Sequence, residues 1–199
     1  MQERLRLRER RNRLIRWLII VVSLLILFPL YYPSPWSPKS AAGHTLEGMG
    51  FSAGTIEVVS MIQTGGMYSV LFYDDQHELY HHFHMDRPFG ILWRNRGGGV
   101  GHPLDHDEML KMSWGGHREG DSWYTYAVNQ VNDPLIHTLT VEWSDGVKQS
   151  MQPVKGLYHF ARAFGPDEGA APVLLAYDAN GKLLYRLDED HRVIRKSDQ

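Results

Sequence analysis

The chain has 199 residues, 43% of them hydrophobic, with 21 Lys plus Arg against 23 Asp plus Glu. That is enough apolar material for one packed domain or two small ones, and it excludes a wholly disordered chain. The absence of Cys excludes disulfides, Cys-ligated zinc, iron–sulfur clusters and thiol catalysis. The formal net charge of -2 averages two unlike parts. Residues 1–16 hold seven Arg (Arg4, Arg6, Arg8, Arg10, Arg11, Arg13, Arg16) and only two acids, Glu3 and Glu9, which leaves 14 basic and 21 acidic side chains downstream.

No charged residue lies between Arg16 and Lys39, and residues 17–32 read WLIIVVSLLILFPLYY. As a helix this run rises roughly 24 Å, or roughly 28 Å counted from Leu14, against a hydrocarbon core of about 30 Å. It predicts a single transmembrane signal anchor over 17–32 with the lipid bilayer as its partner. Trp17 at one end and Tyr31 and Tyr32 at the other are interfacial aromatics, Arg16 can snorkel, and Pro29 and Pro33 mark the helix end. The Arg excess before the span orients residues 1–16 as a cytoplasmic tail, with the rest extracytoplasmic. A cleaved signal peptide is the rival reading. Its only small-residue cleavage candidate, Ser40-Ala41-Ala42, lies too far beyond Phe28, so the anchor is expected to stay. The Arg-rich tail has neither stacking aromatics nor a nucleic-acid module beside it, so no nucleic-acid partner is expected; it suits anionic headgroups.

Residues 33–54 are expected to form a Pro/Gly-rich linker: PSPWSPKS over 33–40 as a stiff extended spacer, then 41–54 as loop or a short helix. From Thr55 the texture turns to short runs rich in Val, Ile, Tyr, Phe and Trp, broken by Gly, Asp, Asn or Pro. Strands are predicted at 55–63, 66–74, 77–85, 89–95, 122–131, 136–143, 146–152, 156–163, 173–178 and 182–187. The fold class is all-β, an antiparallel sandwich-like domain over 55–187; Asp133-Pro134 offers a seam near 132–134, so one sandwich and two packed β lobes are both open. Gly65-Gly66 and the corner Asp74-Asp75-Gln76 make a meander of the first three strands. Asp145-Gly146 and Asn180-Gly181 predict hairpins with two-residue turns. In the first hairpin Leu139, Val141 and Trp143 share one face, while Thr140 and Glu142 share the other. The β texture lapses from Arg96 to Gly120, a connection longer than structure alone requires. Residues 188–199 form a charged tail.

All eleven His lie beyond Arg16. Strand alternation in HELYHHFHMD puts Tyr80, His82, His84 and Asp86 on one face and Leu79, His81, Phe83 and Met85 on the other. His82 and His84 could ligate zinc with a third ligand from elsewhere, or simply form the exposed face of an ordinary strand. His102 and His106 would share a helical face if PLDHDEMLKM coils, though without the HExxH order, and Pro103 or Asp105 as a helix opener explains the same residues. These four histidines are the only metal candidates, and no metal or other cofactor is expected. GGGVG at 97–101 lacks the Lys-Ser/Thr of a phosphate cradle and reads as a turning loop whose backbone approaches something closely. No GxSxG, SxxK or P-loop pattern occurs, so no catalytic residue is assigned. Trp93, Arg94, Arg96, Trp114, His117 and Trp123 mix flat apolar faces with polar donors, the texture of a surface that binds peptide or sugar, while Trp143 is expected in the core.

The stretches LTVEWSDGVKQSM, GLYHFARAF and PVLLAYDANGKLLYRL, together with WRNRGGG after the meander, resemble uncharacterised exported or single-pass β-domain proteins of Bacillus-type Gram-positive bacteria over roughly residues 55–187. The resemblance implies a Gram-positive cell-envelope location and carries no activity or site residues with it. The expectation is a membrane-anchored extracytoplasmic β domain, a non-enzymatic binding or accessory module whose partner is an envelope protein, a peptide or wall glycan. The alternatives are a tethered His-dependent metal hydrolase and a structural subunit of a membrane complex.

Overall fold

A computed structural model of the chain describes residues 2–31, 35–165 and 171–188. Helix α1 (Gln2–Tyr31) opens the chain. Every side chain from Glu9 to Phe28 on it is exposed, Leu18, Leu25 and Ile26 by more than 60%. Among the described residues no helix is long and apolar enough to cross a membrane. The uncharged run of α1 begins at Trp17 and ends with the helix at Tyr31.

Helix α2 (Pro38–Gly48) starts inside the stretch expected to be an extended spacer. Ser37 caps it: its hydroxyl accepts from the Ser40 N–H at 3.0 Å, and Ser40 Oγ accepts from the Ser37 N–H at 2.9 Å. Proline at the first helical position needs no N–H partner, so a Pro-rich segment can open a helix as well as remain extended. Ala41, Ala42 and Leu46 form the buried face of α2.

Eleven strands follow among the described residues, in three antiparallel sheets, so the described chain is mostly β. The first sheet has the order β1 (Ile56–Thr64), β2 (Met67–Asp74), β3 (Leu79–Asp86), β4 (Arg94–Pro103). The second pairs β5 (Ser113–Glu119) with β6 (Ser122–Gln130) and β6 with β9 (Leu157–Phe164). The third runs β11 (Leu183–Leu187), β10 (Val173–Tyr177), β7 (Thr138–Glu142), β8 (Lys148–Met151). Period-2 alternation decides how they stack. One face of the first sheet, with Val70, Phe72, Phe83 and Met85, packs under Ala41, Ala42 and Leu46 of α2. Its other face, with Leu71 and Tyr80, meets Val128 and Leu157 of the second sheet. The second sheet turns Ala127, Tyr158, Phe160 and Phe164 toward Leu139, Val141, Trp143, Leu174 and Leu187 of the third. The second sheet is therefore covered on both faces, and the layers are α2, first sheet, second sheet, third sheet.

Several expectations change. The excursion over 96–120 supplies most of β4 and all of β5, whereas of the strand expected at 89–95 only Arg94 and Asn95 belong to one, at the start of β4, and Pro88–Gly90 is a 3₁₀ turn. Pro103 ends β4, and PLDHDEMLKM forms no helix. The seam at 132–134 separates no lobes, because β9 lies beyond it yet pairs with β6 before it, and one core cluster runs from Leu110 to Leu187. In both hairpins only Gly146 and Gly181 take positive φ, each +79°, while Asp145 and Asn180 do not. The turns are thus neither of the mirror-image two-residue types, since type I′ needs positive φ at both central residues and type II′ at the first. Residues beyond Asp188 in the expected tail lie outside the described residues.

Candidate functional site

The face of β3 predicted to carry Tyr80, His82, His84 and Asp86 does carry them, but it faces the second sheet rather than solvent. His82 and His84 are 1% and 3% exposed. Ser69 on β2 places its Oγ 2.6 Å from His82 Nε2 and 2.8 Å from Nε2 of His159 on β9. His159 Nδ1 lies 3.0 Å from Ser60 Oγ. Ser69 has one proton, so one imidazole must donate to it while the other accepts from it. His82 Nδ1 has no hydrogen-bond partner among the described residues. A bare ring lone pair costs less than a bare N–H, which orders the chain: His82 donates to Ser69, Ser69 to His159, and His159 Nδ1–H to Ser60.

Tyr126 stacks on His82 at 3.8 Å between ring centroids, and His84 stands 4.9 Å from His82 with neither ring nitrogen hydrogen-bonded among the described residues. Burial is the main force on these groups. It pushes His159 down to about 3, with His84 adding repulsion. It pushes His84 down to about 4, with His117 adding. It lowers His82 well below the ordinary value, with His159, His84 and His102 adding. All three are neutral at pH 7. Neutral imidazole is the form that ligates metals, yet among the described residues no three His, Asp or Glu side chains are grouped to hold one. Ser69 and its two histidines are each 1% exposed, so this Ser–His pair is closed to substrate.

The inter-sheet lane opens at its Tyr80 end. There a cleft of about 440 Å³ is lined by Tyr80, His102, Glu108, Lys111, Ser113 and Asn129 among others. The His102 ring stacks on Tyr80 at 4.9 Å and 18°, and partial burial lowers its pKa. A Cβ at position 99 would come within 2.4 Å of His102 Nε2, so Gly99 is what gives this ring its seat. Ser113, which lines the cleft with Tyr80, accepts at its Oγ from Asn129 Nδ2 at 2.9 Å. Lys111 Nζ is 2.6 Å from Asp105 Oδ2 and 3.4 Å from Glu108 Oε1. Hydroxyl, amide, imidazole and a neutralised ammonium thus converge beside Leu110, Met112 and Leu187. Such a mixture suits a polar ligand of low net charge, held by directional hydrogen bonds.

The six residues predicted to form one binding surface fall in three places. Trp93 is 7% exposed and packs edge-on against Tyr68 at 4.8 Å, part of the core beneath α2. Arg94 grips Asp86 through Nε–Oδ1 at 3.0 Å and Nη2–Oδ2 at 2.5 Å. Arg96 pairs with Glu119 across the gap between the first and second sheets and lies 3.3 Å from Asp86. His117 is 3.4 Å from Glu119, its ring 5.8 Å from His84. Arg94, Arg96 and His117 therefore do come together, at the end of the lane opposite Tyr80. Trp114 and Trp123 pack on the core between the second and third sheets. Of the four histidines singled out for metal, His82 and His84 share the lane, His102 lines the cleft, and His106 is exposed, 3.5 Å from Glu78.

Sequence reasoning missed Ser60, Ser69 and His159. A signal existed for two of them: Ser69 within MYSVLFYD and His159 within LYHFARAF are polar residues inside otherwise apolar strands. Compared with protein-family models, with curated proteins and with solved structures, the chain finds no match.

Proposed function

We propose that this protein is a membrane-tethered extracytoplasmic β module that binds a component of the cell envelope, an envelope protein, a peptide or wall glycan, without catalysing a reaction on it. One observation carries the reading: the apolar run of α1 from Trp17 to Phe28 is exposed along its whole length, with no protein surface over it. Each large apolar side chain left in water forgoes about 1.5–3 kcal/mol of transfer free energy, and a bilayer recovers it. The run is short for a span, and snorkelling of Arg16 with local thinning of the bilayer makes up the difference. The Arg cluster before it orients the β domain outward. Ala42, in the small-residue stretch where cleavage would fall, is fully buried within α2, which favours retention of the tether. The resemblance to exported or single-pass proteins of Bacillus-type bacteria supports the same address. Binding rather than catalysis is favoured because the open cleft gathers hydrogen-bonding groups, whereas the Ser69 pair is sealed.

The test is topological. Full-length chain expressed in a Gram-positive host should stay with the membrane through alkaline carbonate extraction. Protease added outside protoplasts should remove the β domain and leave an N-terminal stub. Recovery in the carbonate wash, or full protection from the protease, overturns the proposal.

A further inference from the structure

We infer that the β domain also lies down on the bilayer, through an apolar patch of Trp36, Phe89 and Ile91 that inserts among the lipid headgroups. The inference rests on the membrane reading of α1 and adds a second contact to it. The turn at residues 87–91 displays Phe89 at 82% exposure and Ile91 at 66%. Phe89 does so at φ +57°, in the left-handed region where a bulky side chain is costly. Burying the ring would be the ordinary use of such a residue, yet here a strained backbone presents it to the outside.

Trp36 is 74% exposed. The Trp93 N–H donates to the Pro35 carbonyl at 2.7 Å, so Trp36 stands one residue, and Ile91 two residues, from the same hydrogen bond. The patch is thereby built from two distant segments and is not a chance loop tip. Chain length then places it. From Tyr31, the end of α1, five peptide units reach at most about 18 Å, while the headgroup layer of one leaflet occupies roughly 5–8 Å beyond the hydrocarbon. With α1 in the bilayer, Trp36 and the turn bonded next to it stay within reach of that layer.

The chemistry fits the same occupant. Trp and Phe favour the headgroup level. Arg87, 5.2 Å over the Trp93 ring, begins the turn that carries Phe89 and Ile91, and Lys39 follows Trp36 by three residues in the first turn of α2, two cations with which lipid phosphates would pair. A soluble protein partner would explain the exposed rings but not their covalent closeness to the end of α1.

The chain has no Cys, so a nitroxide can be attached at one introduced position at a time. Full-length protein carrying Leu24→Cys, Phe89→Cys, Ile91→Cys or Leu135→Cys would be reconstituted into phosphatidylcholine vesicles containing phosphatidylglycerol. Collisions with oxygen and with a water-soluble nickel chelate then report depth. All four side chains are exposed, so folding is not at risk. The label at 24 should be oxygen-rich, and those at 89 and 91 should be shielded from nickel by about five-fold relative to 135, as headgroup-level residues are. Nickel accessibility at 89 and 91 equal to that at 135, with 24 still in lipid, overturns the surface contact alone. A label at 24 as accessible to nickel as that at 135 overturns the tether and this inference together.

Discussion

Ser69 is the smallest residue in the buried array and the one on which most depends. Its hydroxyl is hydrogen-bonded to both His82 and His159, at 2.6 and 2.8 Å, between two rings that also meet edge-on at 5.3 Å. Replacing it with alanine removes one oxygen and leaves two buried ring nitrogens without partners. Each orphaned group costs about 1–3 kcal/mol, so Ser69→Ala should destabilise the fold by about 2–4 kcal/mol, read as a lower denaturant midpoint. A loss below about 0.5 kcal/mol, the size of a neutral surface change, would show that the imidazoles find other partners and that the chain from His82 to Ser60 is not structural. The same reasoning separates the serine from a nucleophile: its hydroxyl is already committed to two imidazoles, and no solvent reaches it.

At the scale of elements, the union of β3 with β4 depends on glycine at one point. A Cβ on Gly98 would fall 2.0 Å from the His82 carbonyl oxygen and 2.9 Å from Phe83 Cα, both backbone atoms that cannot step aside. Gly98→Ala must push β4 off β3 and with it loosen the seat of His102, at a cost above about 2 kcal/mol, in the range of overpacked core sites. Gly66→Ala, where nothing lies within 4 Å, should stay within about 0.5 kcal/mol. Equal midpoints for the two variants would contradict the tight β3–β4 packing. This position also shows why part of the fold was hidden. RNRGGGVGHP has almost no β propensity, and it is a strand because the first sheet pairs with it, a tertiary effect that outweighs local preference. By contrast the alternation of β3 was legible residue by residue, down to which side chains share its face. What alternation could not tell was the depth: His82 and His84 read as polar and hence exposed, and only the approach of β6 and β9 buries them. The crossing of β9 back to β6 is likewise a non-local pairing that the hairpin signals on either side of it do not contain. Helix α2 was marked only by Ser37 and Ser40, three residues apart, inside a Pro-rich run that reads equally well as extended chain.

For the whole molecule, the inter-sheet histidines make stability depend on pH in a defined window. His82, His84 and His159 hold pKa values below the ordinary 6.5, the last two at about 4 and about 3, chiefly because burial disfavours the charged form. Unfolded, each regains the ordinary value. Below that value the unfolded chain binds protons that the folded chain refuses, so unfolding becomes more favourable as pH falls. Their contribution is complete above about pH 6.5 and is lost progressively on acidification, at about 1.4 kcal/mol per pH unit for each imidazole. Carboxylates such as Asp74 and Glu119, whose pKa values are lowered from 3.8 and 4.5, act in the same sense but only at lower pH, so the two effects separate. Denaturant unfolding of the full chain in detergent should therefore show a steep fall in stability between pH 6.5 and pH 5. His84→Phe supplies the control. Because neither His84 nitrogen has a hydrogen-bond partner among the described residues, the apolar ring should be neutral or stabilising at pH 7.5 and should flatten the acid slope by about one imidazole's share. A slope near zero in the parent chain, or one unchanged by His84→Phe, would mean that the lane admits charge and water, and that the two sheets are not sealed over these rings.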